Sequence, residues 1–152
     1  HAEDARVGSA SLAAVQEAES DAGMQGLAVY EAFQQRADEV KNGLLSFLIE
    51  QKRAGKKVAA YGAAAKGNTL LNYAGVKQDL LSFVCDAAPS KQGKYLPGSH
   101  IPVFAPEKLK SEKPNIVLIL PWNIAAEVML HTSYIRQWGG QYATAVPTLE
   151  VK

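Results

Sequence analysis

From Lys57 onward the sequence alternates short apolar runs with polar, helix-compatible segments, and this alternation restricts the fold more than any other feature. Lys57–Tyr61 is a first strand and Gly67–Ala74 a short helix. Leu80–Asp86 is a second strand, and Ile101–Phe104 a short edge strand. Pro106 opens a helix at the position where a missing N–H costs nothing. Asn115–Leu120 is the most apolar run, as expected of a strand covered on both faces. Ile124–Trp138 carries Ile124, Val128, His131, Ile135 and Trp138 on one helical stripe. Gly139–Gly140 ends it, and Gln141–Val146 is a last strand. Strand–helix alternation demands a parallel sheet with helices on both faces. The expectation is a Rossmann-like α/β domain of about five strands, ordered 3-2-1-4-5, over residues 56–152. A ligand would then sit at the carboxyl ends of the first and fourth strands, where the sheet reverses direction.

Residues 1–55 form a helical lead-in. A shorter helix near Ser11–Asp21 is separated by Gly23 and Gly26 from a long one at Leu27–Ala54. The long helix lays Tyr30, Phe33, Ala37, Val40, Leu44 and Phe47 on one stripe, with Leu48 or Gln51 completing it. Gly55, after Lys52 and Arg53, stops it. Such a stripe needs a partner: the domain itself, an upstream domain, or a second copy forming a homodimer. Packing on the domain is the simplest.

A chain of 152 residues can bury one core. No apolar run approaches the roughly 18 residues of a membrane span. Residues 1–26 hold five acidic side chains and no leader-like apolar block. These features predict a cytoplasmic protein without membrane attachment. The start at His1 rather than methionine suggests a stretch from inside a longer protein, with His1 a possible tag remnant. The single cysteine, Cys85, excludes an internal disulfide and a multi-cysteine metal site, and its apolar surroundings suggest inert core. The net charge of +1 argues against nucleic-acid binding, but its distribution is uneven. Residues 1–50 carry nine acids and three bases, residues 51–152 six acids and thirteen bases. The globular part is therefore basic, which suits an anionic ligand or an acidic neighbouring domain.

The turn Tyr61-Gly62-Ala63-Ala64-Ala65-Lys66-Gly67-Asn68-Thr69 joins the first strand to the first helix. Against the dinucleotide fingerprint G-x-G-x-x-G it supplies Gly62 and Gly67, but Ala64 replaces the glycine that lets a pyrophosphate approach the backbone. Asp86 falls 24 residues after Gly62, near where a ribose-binding acid belongs. Against the P-loop, Asn68 occupies the lysine position, which disfavours a nucleotide triphosphatase. An S-adenosylmethionine loop would show denser glycine. What remains is a helix N-terminus with free N–H groups, reinforced by Lys66, Asn68 and Thr69, suited to a phosphate. The plain alternative is a tight turn whose glycines merely fit the fold.

Two further segments carry candidates. The loop Ser90–His100 is polar and punctuated by glycine, with Lys91 and Lys94 able to reach an anion and Tyr95 to stack on a base. Pro121-Trp122-Asn123 closes the fourth strand at the crevice; Asn123 caps the next helix or faces the ligand. His131 is expected to pack on its stripe, and His100 is a weak catalytic candidate. No nucleophile–base–acid set, metal cluster or forced carboxylate pair stands out, so no catalytic residue is assigned.

Four segments stand in register with a known family: Tyr61–Asn72, Lys91–Pro102, Leu118–Asn123 and Trp138–Gly140. Together they make residues 25–152 similar to the C-terminal domain of S-adenosylmethionine-dependent sugar C-methyltransferases. The resemblance implies a three-part parent enzyme with a cysteine-rich zinc module and a central methyltransferase domain upstream. The central domain would hold the cofactor and the catalytic base. Its usual substrate is a nucleotide-linked 4-keto-6-deoxy sugar, methylated at carbon in deoxysugar biosynthesis. This domain would hold the nucleotide-sugar without binding the cofactor or acting alone. Gly62, Ala64, Lys66, Gly67, Asn68, Thr69, Asp86, Lys91, Lys94, Tyr95, Trp122 and Asn123 are the candidate substrate contacts. The alternatives are an NAD(P)-binding oxidoreductase domain with Asp86 on a ribose, and a non-catalytic sensing or dimerisation module.

Overall fold

A computed structural model describes residues 9–152. The chain divides into two compact units, His1–Asp38 and Glu39–Lys152. In the first, α1 (Ala10–Asp21) starts where Ser9 Oγ accepts a hydrogen bond from Leu12 N–H, 3.3 Å away. α1 buries none of its residues. A single turn, α2 (Ala28–Glu31), is fixed by Tyr30 Oη donating to Met24 O at 2.7 Å.

The long helix expected over Leu27–Ala54 is interrupted at Ala32, and α3 runs Phe33–Arg53. Ala32 has ψ −9°, well short of the roughly −42° of a regular α-helix. The stripe divides accordingly. Tyr30 and Phe33 are exposed, whereas Leu44, Phe47 and Leu48 are buried in the core of the second unit.

The second unit is built on one six-stranded sheet. Its strands are β1 (Val58–Tyr61), β2 (Val84–Cys85), β3 (Val103–Phe104), β4 (Ile116–Ile119), β5 (Gln141–Thr144) and β6 (Glu150–Val151). The order is β3-β2-β1-β4-β5-β6. The first five strands are parallel in the expected order; β6 is an additional antiparallel edge. Register is set at the centre by Val58 opposite Ile116 and Tyr61 opposite Ile119.

Strand alternation sends side chains to two cores. Val58, Ala60, Val84, Ile116, Leu118 and Ala143 meet α3 and α4 (Ala65–Tyr73) on one face. Ala59, Phe83, Cys85, Val117, Ile119 and Tyr142 meet the other helices on the opposite face. Those helices are α5 (Glu107–Glu112) and α6 (Ala125–His131), with a 3-10 segment at Ser133–Trp138. Each buried Leu or Ile contributes about 1.5–3 kcal/mol, so the buried β4, facing both cores, anchors the fold.

The expected helix Ile124–Trp138 is three pieces: a 3-10 turn Trp122–Ile124, then α6, then the 3-10 segment. The inward position one turn after Val128 is Thr132, whose Oγ1 donates to Val128 O at 2.6 Å and lies 3.0 Å from Tyr142 Oη. His131 is consequently exposed rather than packed. The strand expected over Leu80–Asp86 shortens to its last apolar pair. The segment after it folds back as a hairpin, with Val103 N–H on Lys94 O at 2.8 Å and Leu96 N–H on Ile101 O at 2.9 Å. Among the described residues no helix is long and apolar enough to cross a membrane.

α4 begins at Ala65, so Gly67 lies inside the helix rather than ahead of it. A Cβ at Gly67 would fall 2.5 Å from Leu120 Cβ, and the glycine lets α4 lie directly on the end of β4. Gly67→Ala is therefore expected to destabilise by about 1–3 kcal/mol despite alanine's helix preference. Gly43→Ala, in α3 with open space around it, should stabilise by about 0.5–1 kcal/mol. Urea unfolding of the two variants checks the opposite signs.

Candidate functional site

The crevice at the carboxyl ends of β1 and β4 is shaped by two glycines and a carboxylate. Gly62 leaves β1 with φ 86°, a left-handed value, and its N–H donates to Cys85 O at 2.7 Å. A Cβ there would strike Pro121 Cδ at 2.5 Å. Pro121 thus forms the wall of the turn, and only glycine satisfies both the backbone angle and the space.

Asp86 lies at the end of β2 and is 7% exposed. Its Oδ2 accepts from Ala63 N–H at 2.7 Å and from Lys91 Nζ at 3.0 Å, and its Oδ1 from Ala88 N–H at 2.8 Å. Burial pushes this carboxyl up, but the bonds from Ala88 N–H, Lys91 and Ala63 N–H outweigh it and hold the pKa below the ordinary value. Gln92 Nε2 donates to Asp86 O at 2.9 Å and closes the loop beneath. Asp86 and Lys91 are therefore engaged in clamping the β1–α4 turn.

The amino end of α4 is open. Ala63 N–H is taken by Asp86, and Ala64 N–H bonds Gly62 O at 2.8 Å. Among the described residues the N–H groups of Ala65, Lys66 and Gly67 have no protein acceptor. They carry the positive end of the helix dipole. Lys66 stands beside them with Nζ 4.6 Å from the Trp122 ring centre, donating to Asn123 Oδ1. Trp122 and Asn123 come from the segment after β4, so the fold joins two stretches more than fifty residues apart. Trp122 supplies a ring face and Asn123 a neutral acceptor, and among the described residues no carboxylate pairs with the ammonium. Free amides, a helix dipole and one oriented lysine are features suited to an anion.

The remaining candidates are placed differently. Ala64 precedes α4 in extended conformation and exposes no side-chain donor. Thr69 Oγ1 donates back to Ala65 O at 3.1 Å and is committed to its own helix. Gly67 serves packing rather than ligand approach. Lys94 and Tyr95 are exposed on the hairpin, with Tyr95 paired to Pro102 across it. Among the described residues no bond joins either to the turn. Cys85 is fully buried and its thiol is pushed up to about 12 by that burial, so it offers no nucleophile.

Sequence reasoning named the segments holding Pro121 and Gln92 without giving either a role and did not single out Asn72; all three shape the site. Asn72 Nδ2 donates to Asn68 O within α4 and to Pro97 O, both at 2.9 Å, and the second bond ties α4 to the turn at Pro97. Its spacing of four from Asn68 was the available signal. Among the described residues no group of three or more His, Cys, Asp or Glu can hold a metal.

Comparison with known proteins adds a family to this geometry. Residues 1–147 match the family described as the C-methyltransferase C-terminal domain. The chain is also 39% identical over 93 residues to the C-methyltransferase NovU of Streptomyces niveus. That stretch is 61% of this chain and 22% of NovU, so the chain spans less than a quarter of the curated relative's length in this match.

Asp86→Asn turns an NH2 group toward one of the backbone donors and should cost about 1–3 kcal/mol at neutral pH. The folded-state pKa lies below the unfolded value of about 3.9. The carboxylate's contribution is thus complete above that value and is lost as pH falls through the folded pKa. Urea midpoints of wild type and variant should converge on acidification below about pH 4, whereas a constant gap would contradict the clamp.

Proposed function

We propose that this chain, which belongs to the C-methyltransferase C-terminal domain family, is the substrate-holding part of a C-methyltransferase. It grips the diphosphate of a nucleotide-linked keto-deoxy sugar at the amino end of α4. The observation that carries the reading is the trio of free amides at Ala65, Lys66 and Gly67 beside Lys66 Nζ. A diphosphate brings acceptors only, and the three amides and the Lys66 ammonium are donors; charge-assisted bonds of that kind are the strong ones. Trp122, held flat under Lys66, offers a ring face to a base or sugar.

The chemistry of methyl transfer lies elsewhere in this reading. Ordinary carbon methylation removes the proton next to the ketone and passes the carbanion to the methyl of S-adenosylmethionine. In this reading neither the proton removal nor the cofactor is assigned to residues of this chain. Both the cofactor and a zinc module belong, in this proposal, to upstream parts of the same polypeptide. The residues of this chain bind and orient: Lys66 and the α4 amides fix the diphosphate, which turns the sugar toward the neighbouring domain. The reading also keeps the excess of basic side chains in residues 51–152, which steers an anionic substrate.

Titration calorimetry tests it. A nucleoside diphosphate should bind more tightly than S-adenosylmethionine, and Lys66→Ala should weaken the diphosphate about tenfold, the loss of roughly one charge-assisted bond. Tighter binding of S-adenosylmethionine, or an unchanged diphosphate affinity in the variant, contradicts the proposal.

A further inference from the structure

The first unit leaves apolar side chains uncovered: Leu27, Tyr30 and Phe33 are each more than half exposed. Contiguous exposed apolar side chains rimmed by polar ones mark an interaction surface. Tyr30 also lines a cup of about 520 Å³ with Gln16, Glu19, Met24 and Gln25. The chain builds this cup by turning back after α1. Met24 N–H donates to Glu19 O at 3.0 Å, and Tyr30 Oη donates to Met24 O at 2.7 Å. Among the described residues the Glu19 carboxylate has no partner. A carboxylate beside a thioether and an aromatic ring suits a lysine, whose stem lies on the apolar atoms while its ammonium meets the acid.

The second unit carries a lysine in a matching state. Many of its lysines are engaged: Lys52 with Asp79, Lys57 and Lys108 with Glu112, and Lys91 with Asp86. Among the described residues the Lys113 ammonium has no partner. Lys113 ends α5 with φ 46°, a left-handed value that is unfavourable for any residue with a Cβ. With Lys110, Tyr134, Gln137 and Trp138 it lines a groove of about 440 Å³. The aromatic wall of that groove is fixed, with Lys110 Nζ 4.7 Å from the Tyr134 ring centre and Trp138 Nε1 donating to Pro114 O at 3.0 Å. Pro114 and Trp138 precede β4 and β5, so the groove lies at the amino ends of these strands, away from the crevice.

Charge decides which surfaces can meet. Residues 1–38 hold seven acidic and two basic side chains, whereas residues 51–152 hold thirteen bases against six acids. Two first units set face to face would repel, and a first unit set against the basic groove attracts. We infer that two copies of this chain pair reciprocally, the cup at Glu19 and Tyr30 of each receiving Lys113 of the other. The apolar side chains of Leu27, Tyr30 and Phe33 then cover the wall made by Tyr134 and Trp138. Reciprocal contacts close a two-fold dimer, where a one-way contact would continue into a filament. The crevice beside Lys66 takes no part in the pairing.

Sedimentation of the chain over a range of concentrations tests this. Wild type should form a dimer that weakens as salt rises. Glu19→Lys and Lys113→Glu should each weaken it about tenfold, the loss of two ion pairs. An equal mixture of the two variants should recover a heterodimer of near wild-type affinity, because one contact is then the native pair and the other the same pair reversed. Lys113→Gly separates pairing from folding. Glycine suits the left-handed backbone, so this variant should resist urea at least as well as wild type while associating more weakly. The inference is overturned if wild type stays monomeric at millimolar concentration, if either charge reversal leaves the dimer unchanged, if the mixed variants do not rescue each other, or if Lys113→Gly pairs as wild type does.

Discussion

The close approach of α4 to the end of β4 is the contact on which the rest of the structure depends. Gly67 rests on Leu120 and Gly62 on Pro121, and in each case a Cβ would fall 2.5 Å from its neighbour. That approach brings Lys66 over Trp122 and beside Asn123. It also fixes the direction in which the free amides of α4 point. Without it the two halves of the crevice would part by about the width of a methyl group, and the lysine would lose the ring and the carbonyl that orient it. The glycines of this turn therefore serve packing, and the proposed anion contacts are the amides and the lysine.

Asp86 explains how a turn so lightly built stays in place. A short strand, β2, ends in a carboxylate that accepts two backbone N–H groups and a lysine. Burial alone would favour its neutral form; the three donors reverse that balance. The arrangement occupies the position where dinucleotide-binding domains keep a ribose acceptor, and uses it internally. This internal use, with the substitution at Ala64, departs from the dinucleotide-binding pattern.

Much of the architecture was legible in the sequence. The apolar run before Leu120, the glycine stop after Trp138 and the polar loop before Ile101 located the parallel strands and their order. The antiparallel β6 was not legible, since Glu150–Val151 is too short to show a period. The start of α4 was missed because Ala65 and Lys66 are good helix formers that carry no boundary signal, and fingerprint spacing drew Gly67 into the turn. His131 was assigned inward at a spacing of three, where the fold buries Thr132 at a spacing of four. The site was legible in part. Lys66 was named from one segment and Trp122 and Asn123 from another, and the fold joins them. Asp86 was named for a ribose because the sequence cannot show that Ala63 and Ala88 turn their N–H groups toward it. Lys94 and Tyr95 stay on an exposed hairpin, because loop composition suggests binding without specifying direction.

Diffraction from crystals of this chain grown with a nucleoside diphosphate tests the central claim most directly. The account requires phosphate oxygens within hydrogen-bond distance of the Ala65, Lys66 and Gly67 amides, with Lys66 Nζ turned from Asn123 onto the ligand. A diphosphate bound at another surface, with those amides facing solvent and Lys66 still on Asn123, would contradict it.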